Sequence, residues 1–124
     1  MEARNRAVKE WLMKVKASEI LLPRFQRYKA WSSNIVTDFL TAVARDLPTG
    51  STLVLEVGGE LPFVSRAIKG APRDVKRVRE LLLDEQQRLT ALWRSLTDNY
   101  PDKTYLVALK DGDKEGAEVI AISR

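Results

Sequence analysis

The chain has no cysteine and no histidine among its 124 residues. Without cysteine there is no disulfide framework, which fits a reducing cytoplasm. Without histidine, this chain cannot assemble a Cys/His zinc site, a Ser-His or Cys-His nucleophile system or a His-dependent nuclease centre. Any chemistry must rest on Asp, Glu, Arg, Lys, Gln, Ser, Thr or Tyr. No apolar run approaches the roughly 20 residues that cross a bilayer. The charged start MEARNRAVKEW lacks the apolar stretch of a signal peptide, so no membrane association is expected. Internal repeats and low-complexity segments are also missing.

What is present is a folding composition, 44% hydrophobic and 31% charged, of a length that suits one domain over residues 1–124. The net charge of +4 is unevenly spread. Residues 1–31 carry eight Lys/Arg against three Asp/Glu, and residues 66–79 carry six Lys/Arg against one Asp. Two basic segments on an acidic remainder can attract phosphate-bearing partners, and ordinary solvated surface explains them equally.

Val8, Trp11, Leu12 and Val15 mark one face of a first helix. EILLP reads as a short strand stopped by Pro23, and RFQRYKAW as an irregular connection. Ser32 or Ser33 caps a second helix whose apolar face is Val36, Phe39, Leu40, Val43 and Leu47, with Pro48 and Gly50 ending it. TLVLEV is a strand. Residues 65–79 show no period and read as a long basic loop, either a nucleic-acid contact or a disordered insertion. ELLLD is a buried strand, and Leu89, Leu92, Trp93 and Leu96 define a third helix. KTYLVALK and AEVIAIS flank DGDKEG as a hairpin. The order α-β-α-β-loop-β-α-β-β predicts a mixed α+β domain. Trp11 and Trp93 belong to the core. Trp31 reads as a core or staple residue rather than a base-stacking one, Tyr28 could stack on a base, and Asp38 faces solvent.

The informative stretch is LLLDEQQRLTALWRSL, residues 81–96, where five polar residues separate a strand from a helix. Such a junction exposes the N–H groups of the first helical turn, and these with the helix dipole attract anions. Arg88 could grip a phosphate with two hydrogen bonds, and Gln86 and Gln87 can donate without adding charge. Asp84 could hold a metal, orient a water or cap the helix. A plain capped turn fits the same residues.

This stretch resembles the DGQQR motif of the ParB/sulfiredoxin-like superfamily, which includes GmrSD-type restriction enzymes and related phage-defence proteins. ILLPRFQRYKAWSSNIVTDFLTAV is similar to that family's N-terminal pattern, and YPDKTYLV after the helix also fits. The likeness covers most of residues 8–110. It implies a ParB/sulfiredoxin-like mixed sheet with packed helices and a nucleotide-binding, NTP-hydrolysing regulatory domain. The cofactor would be a nucleoside triphosphate with Mg2+. Carried over by position, Gln26, Arg27, Glu85, Gln86, Gln87 and Arg88 would line the nucleotide site, with Asp84 and Arg88 acting on the phosphates. No protein metal site is implied.

Arg27 could equally be a structural arginine. Arg66, Lys69, Arg73, Lys76, Arg77 and Arg79 form the candidate DNA contact. Related proteins continue into a C-terminal nuclease domain, so the chain is expected to be an N-terminal portion of a longer protein. One departure stands out: Glu85 occupies the motif's glycine position, placing a carboxylate beside the proposed anion site. That change favours the alternative, a DNA- or protein-interaction module with a degenerate nucleotide site.

Overall fold

Runs such as ILLP and ELLL lack the alternation of a half-exposed strand, and a strand buried on both faces explains them. The structure is a computed structural model. It describes residues 2–3, 6–23, 30–47, 53–57, 65–74, 77–84, 86–109, 112 and 114–124. The elements in chain order are β1 (Glu2–Ala3), α1 (Val8–Lys16), β2 (Ile20–Pro23), α2 (Ser33–Ala44), β3 (Leu53–Glu56), β4 (Ser65–Arg66), β5 (Glu80–Leu82), α3 (Gln86–Leu96), β6 (Lys103–Ala108) and β7 (Glu118–Ser123). The fold is α+β, as the order of elements predicts.

Five strands form one sheet in the order β1-β3-β5-β2-β4, and β6 and β7 form a separate antiparallel pair. β5 is central. It runs parallel to β2, with Ile20 opposite Glu80 and Leu21 opposite Leu81, and antiparallel to β3. β4 adds antiparallel to β2, pairing Leu22 with Arg66 and Pro23 with Ser65.

On one face Ile20, Leu22, Val54 and Leu82 pack with Val15 of α1, Ile68, and Leu89 and Trp93 of α3. On the other, Leu21 and Leu81 pack with Val78, Leu55, Val57 and Ala67. α3 is covered on a second side, where Ala91 and Leu92 meet Val36 and Leu40 of α2 and Val119 of β7. This double cover explains why residues 89–94 are all buried. Leu96 and Leu47, expected on apolar faces, are instead 57% and 52% exposed. Leu96 is the last residue of α3, and Leu47 lies beyond the end of α2.

Ser32 caps α2, its hydroxyl accepting from the Ile35 N–H at 3.4 Å. The helices stop by a device that the sequence does not announce. Ser18, Asp46 and Asp98 take left-handed φ values of 61°, 60° and 51° just past α1, α2 and α3. Each is followed by a residue whose N–H reaches back five positions: Glu19 to Lys14, Leu47 to Ala42 and Asn99 to Arg94. These are Schellman closures made without glycine. α2 therefore ends before the Pro48 and Gly50 that the sequence offers as breakers; those two lie outside the described residues.

Candidate anion site and basic groove

Because β2 and β5 are parallel neighbours, their carboxyl ends lie at the same end of the sheet. Chain segments that leave parallel strands there commonly build ligand sites. β2 ends at Pro23, immediately before residues 24–29, which carry Gln26 and Arg27. β5 ends at Leu82 and α3 starts at Gln86, so the helix opens at that same end. A strand-to-helix junction expected from the sequence is thus present, but it is shorter than expected: Gln86, Gln87 and Arg88, read as part of the turn, are the first three residues of α3. Gln26, Arg27, Tyr28 and Glu85 lie outside the described residues, and so does the expectation that Arg27 faces the same cleft.

Within the turn, Asp84 is exposed, Gln86 is buried, and Gln87 and Arg88 are half-buried. Arg66, at the end of β4, donates from Nη2 to Gln86 Oε1 at 2.8 Å. The sequence grouped Arg66 with the basic loop, but strand pairing delivers it to the motif turn. The first turn of α3 contains no acidic residue. Arg66 and Arg88 bring positive charge toward this end of the helix, and Asp84 and Glu85, which precede Gln86 in the chain, bring the opposite charge. Among the described residues no group of three or more acidic side chains is placed to hold a metal. A magnesium ion at this turn would rest chiefly on the nucleotide's own phosphates, the usual arrangement for that ion, with Asp84 as the nearby carboxylate.

The rest of the basic segment belongs to the other end of the sheet. β4 runs back along β2, so residues 67–74 and 77–79 reach the end where β2 and β5 begin. Arg79 and Glu80 both donate their backbone N–H groups to the Glu19 carbonyl, at 2.8 and 2.9 Å. Ala17, Glu19, Arg77 and Arg79 line an open groove of about 340 Å3. Lys69, Arg73, Arg77 and Arg79 are exposed; Lys76 lies outside the described residues.

The described part of this segment is not a disordered insertion. Ile68 and Val78 are buried in the core, and the Ser18 hydroxyl donates to the Pro72 carbonyl at 3.1 Å. Gly70 has φ +84° and sits against Asn99, whose Oδ1 would lie 2.3 Å from any added Cβ. The left-handed backbone angle disfavours a side chain here, and an added Cβ would also have to displace the Asn99 side chain. Core anchors separated by a turn, Pro72 and exposed arginines have no helical or strand period, so periodicity alone could not find them.

A third cluster was missed by sequence reasoning. Glu80 opens the buried strand β5, and its side chain is 4% exposed. Arg6, 2% exposed, donates Nη1 to Glu80 Oε1 at 2.7 Å and Nη2 to Oε2. Lys14 Nζ lies 3.4 Å from Glu80 Oε1, and Arg6 Nε lies 3.1 Å from Glu10 Oε2. The Arg6 guanidinium also stacks 4.6 Å over Trp11. Burial pushes the Glu80 carboxyl up, but the hydrogen bonds and charge of Arg6, aided by Lys14, outweigh it and hold the group below its usual value of 4.5. The same hydrogen bond raises Arg6, against the effect of burial. The available signal was a lone acid at the head of an otherwise apolar strand.

Among the described residues, the tryptophans pack within the protein. Trp93 is buried in the core; Trp31 packs edge-on to Phe39 at 5.5 Å; Asp38 is exposed. Among the described residues no helix is long and apolar enough to cross a membrane.

Comparison with known proteins adds a family. Residues 8–122 match the model of the GmrSD restriction endonuclease, N-terminal domain. A curated relative, an uncharacterized protein of Methanocaldococcus jannaschii, is 32% identical over 92 residues, which cover 68% of this chain and 16% of that protein. The matched region is thus about one sixth of the relative's length. No solved structure matches the chain significantly.

Proposed function

On the premise that this chain belongs to the GmrSD restriction endonuclease N-terminal domain family, we propose that it is a nucleotide-binding domain of a restriction or phage-defence protein. In this reading the phosphates of a nucleoside triphosphate bind at the first turn of α3. The turn corresponds to the DGQQR motif of a ParB/sulfiredoxin-like domain. The observation that carries the reading is the parallel pairing of β2 with β5. It puts the carboxyl end of β2, which Gln26 and Arg27 follow in the chain, and the junction from β5 into α3 at one end of the sheet. Arg88 and the helix N–H groups supply the anion's donors, and Asp84 stands where a magnesium ion or an attacking water would be held. Together these parts can bind and, with Mg2+, hydrolyse a triphosphate.

Calorimetric titration with a nucleoside triphosphate tests this, with and without magnesium. The expected result is saturable binding, strengthened by the metal and weakened in Arg88→Ala. Binding should also raise the melting temperature, as any ligand selective for the folded state does. A flat titration with an unmoved melting temperature would rule the reading out.

A second activity is favoured by a separate observation, the exposed Arg73, Arg77 and Arg79 at the opposite end of the sheet. The basic groove is proposed to hold a nucleic-acid backbone without reading sequence. Affinity for duplex DNA should then fall steeply with salt, with a log–log slope of roughly −0.9 per phosphate contacted. Replacing Arg73, Lys76, Arg77 and Arg79 with alanine should flatten that slope. Unchanged affinity and slope would exclude this surface.

A further inference from the structure

The runs YLVAL and VIAI are apolar at nearly every position, as are the runs that form β2 and β5, a pattern suited to strands covered on both faces. In the folded chain β6 and β7 are covered on one face only. Tyr105 and Val119 pack with α2, whereas Leu106, Ile120 and Ile122 on the other face are 47%, 45% and 45% exposed. Leu106 and Ile120 are cross-strand partners at the centre of that open face.

The two outer edges of the pair also differ. In an antiparallel pair, residues alternate between turning their backbone N–H and C=O groups toward the partner strand and away from it. The Val119 N–H donates to the Thr41 hydroxyl at 3.1 Å, and the Ala117 carbonyl accepts from Arg45 Nε at 2.7 Å. Odd-numbered positions of β7 therefore face outward, and α2 with its capping residue holds that edge. Their partners by register, Lys103, Tyr105 and Val107, turn the same groups outward on the far side of β6. Among the described residues no hydrogen bond reaches the backbone of these three.

Proteins blunt open edges with short strands, proline, bulges or charge. The large sheet follows that rule, since its edge strands β1 and β4 have two residues each. β6 does not. It runs for six residues in unbroken register with β7, without proline or glycine, and its only charge is Lys103 at the first position. Val107, on the open edge, is 56% exposed.

We propose that two copies of the chain associate through this edge: β6 pairs antiparallel with β6 of a second copy, giving a four-stranded sheet in the order β7-β6-β6-β7. Charge selects the occupant. The chain carries +4 and repels its copy, but β6 and β7 hold one lysine and one glutamate, Lys103 and Glu118, and are neutral together. A parallel copy would set Lys103 against Lys103, which is destabilising. An antiparallel copy centred on Leu106 keeps the two lysines about 20 Å apart, at roughly 3.4 Å per residue. That register is self-complementary. Tyr105 exchanges hydrogen bonds with Val107 of the second copy, and the two Leu106–Ile120 pairs join into one aliphatic row. Such pairing has the two-fold symmetry of a closed dimer. Growth stops at two, because the outer edges left to the dimer are the β7 edges that α2 already holds.

Equilibrium sedimentation over a range of concentrations tests this on the parent, Val107→Pro, Leu106→Lys and Ile122→Lys. The parent should form a concentration-dependent dimer and no larger species. Val107→Pro should raise the dimer dissociation constant roughly tenfold or more, since it deletes an N–H that only the second copy uses. Leu106→Lys sets two cations against each other on the two-fold axis and should weaken the dimer similarly. Ile122→Lys, a strand away from the paired edge, should leave it nearly unchanged. A parent that stays monomeric, or a dimer that Val107→Pro leaves intact, overturns the proposal. So does a dimer that Ile122→Lys disrupts as much as Leu106→Lys, which would mean that the apolar faces stack instead. Should Val107→Pro fail to fold, amide hydrogen exchange in the parent decides. Exchange at the Tyr105 and Val107 N–H groups should slow as protein concentration rises, and exchange that ignores concentration overturns the edge pairing.

Discussion

Glu80→Ala is expected to lower the unfolding free energy by about 3–5 kcal/mol, the cost of leaving a buried ion without its partner. A domain of this size has roughly 5–15 kcal/mol in total, so the variant should unfold far earlier in urea or on heating. The reason is local. The Arg6 side chain is as buried as that of Glu80, and without that carboxylate it keeps, among the described residues, Glu10 and the face of Trp11. Replacing both members, as Arg6→Met with Glu80→Met, should be markedly milder than Glu80→Ala, because no buried charge is stranded.

The same pair sets a pH dependence. Glu80 is held below its ordinary carboxyl value of 4.5 in the folded state, so the unfolded chain takes up its proton first as pH falls. The stabilisation is complete above that value and is lost as pH drops below it, through the folded-state value. Denaturation midpoints measured between neutral pH and pH 3 should show this loss in the parent and much less of it in the double methionine variant. Parallel pH profiles in the two proteins would mean that the pair does not control acid stability.

Glu85→Gly should tighten nucleotide binding by roughly one to two decades. Glu85 immediately precedes the first residue of α3, at the position where the resembling motif has glycine. A carboxylate about 5 Å from a phosphate, at an effective dielectric of roughly 20 to 80, opposes it by on the order of 1–3 kcal/mol. That range corresponds to the stated gain in affinity. Glycine also permits closer backbone approach. Arg88→Ala in the Glu85→Gly background should remove most of the gain by deleting the charged fork. Dissociation constants for the parent and these two variants decide the matter, with melting curves to check that the fold survives. Equal constants in all three would mean that the turn does not hold phosphate, and the interaction-module reading would take its place.

The amino-acid sequence by itself determined the local elements. The 3.6-residue spacing of Val8, Trp11, Leu12 and Val15, the capping Ser32, and the apolar runs ILLP and ELLL each encode a preference that depends only on neighbours in the chain. The absence of cysteine and histidine excluded whole classes of chemistry on composition alone. The polar stretch between ELLL and α3 marked the turn, and its likeness to a known motif pointed to the family.

Tertiary structure alone decided the rest, because partners from distant segments set it. Arg6 finds Glu80 across 74 positions and Arg66 finds Gln86 across 20, through strand pairing that no short window contains. Six residues between positions 66 and 79 look like one basic patch when read along the chain. The antiparallel step from β2 to β4 carries Arg66 to the end of the sheet where α3 starts, while residues 67–74 and 77–79 pass to the other. Charge can be counted from a sequence, but which charges share a surface depends on sheet order and strand direction, and those are fixed only when the core closes.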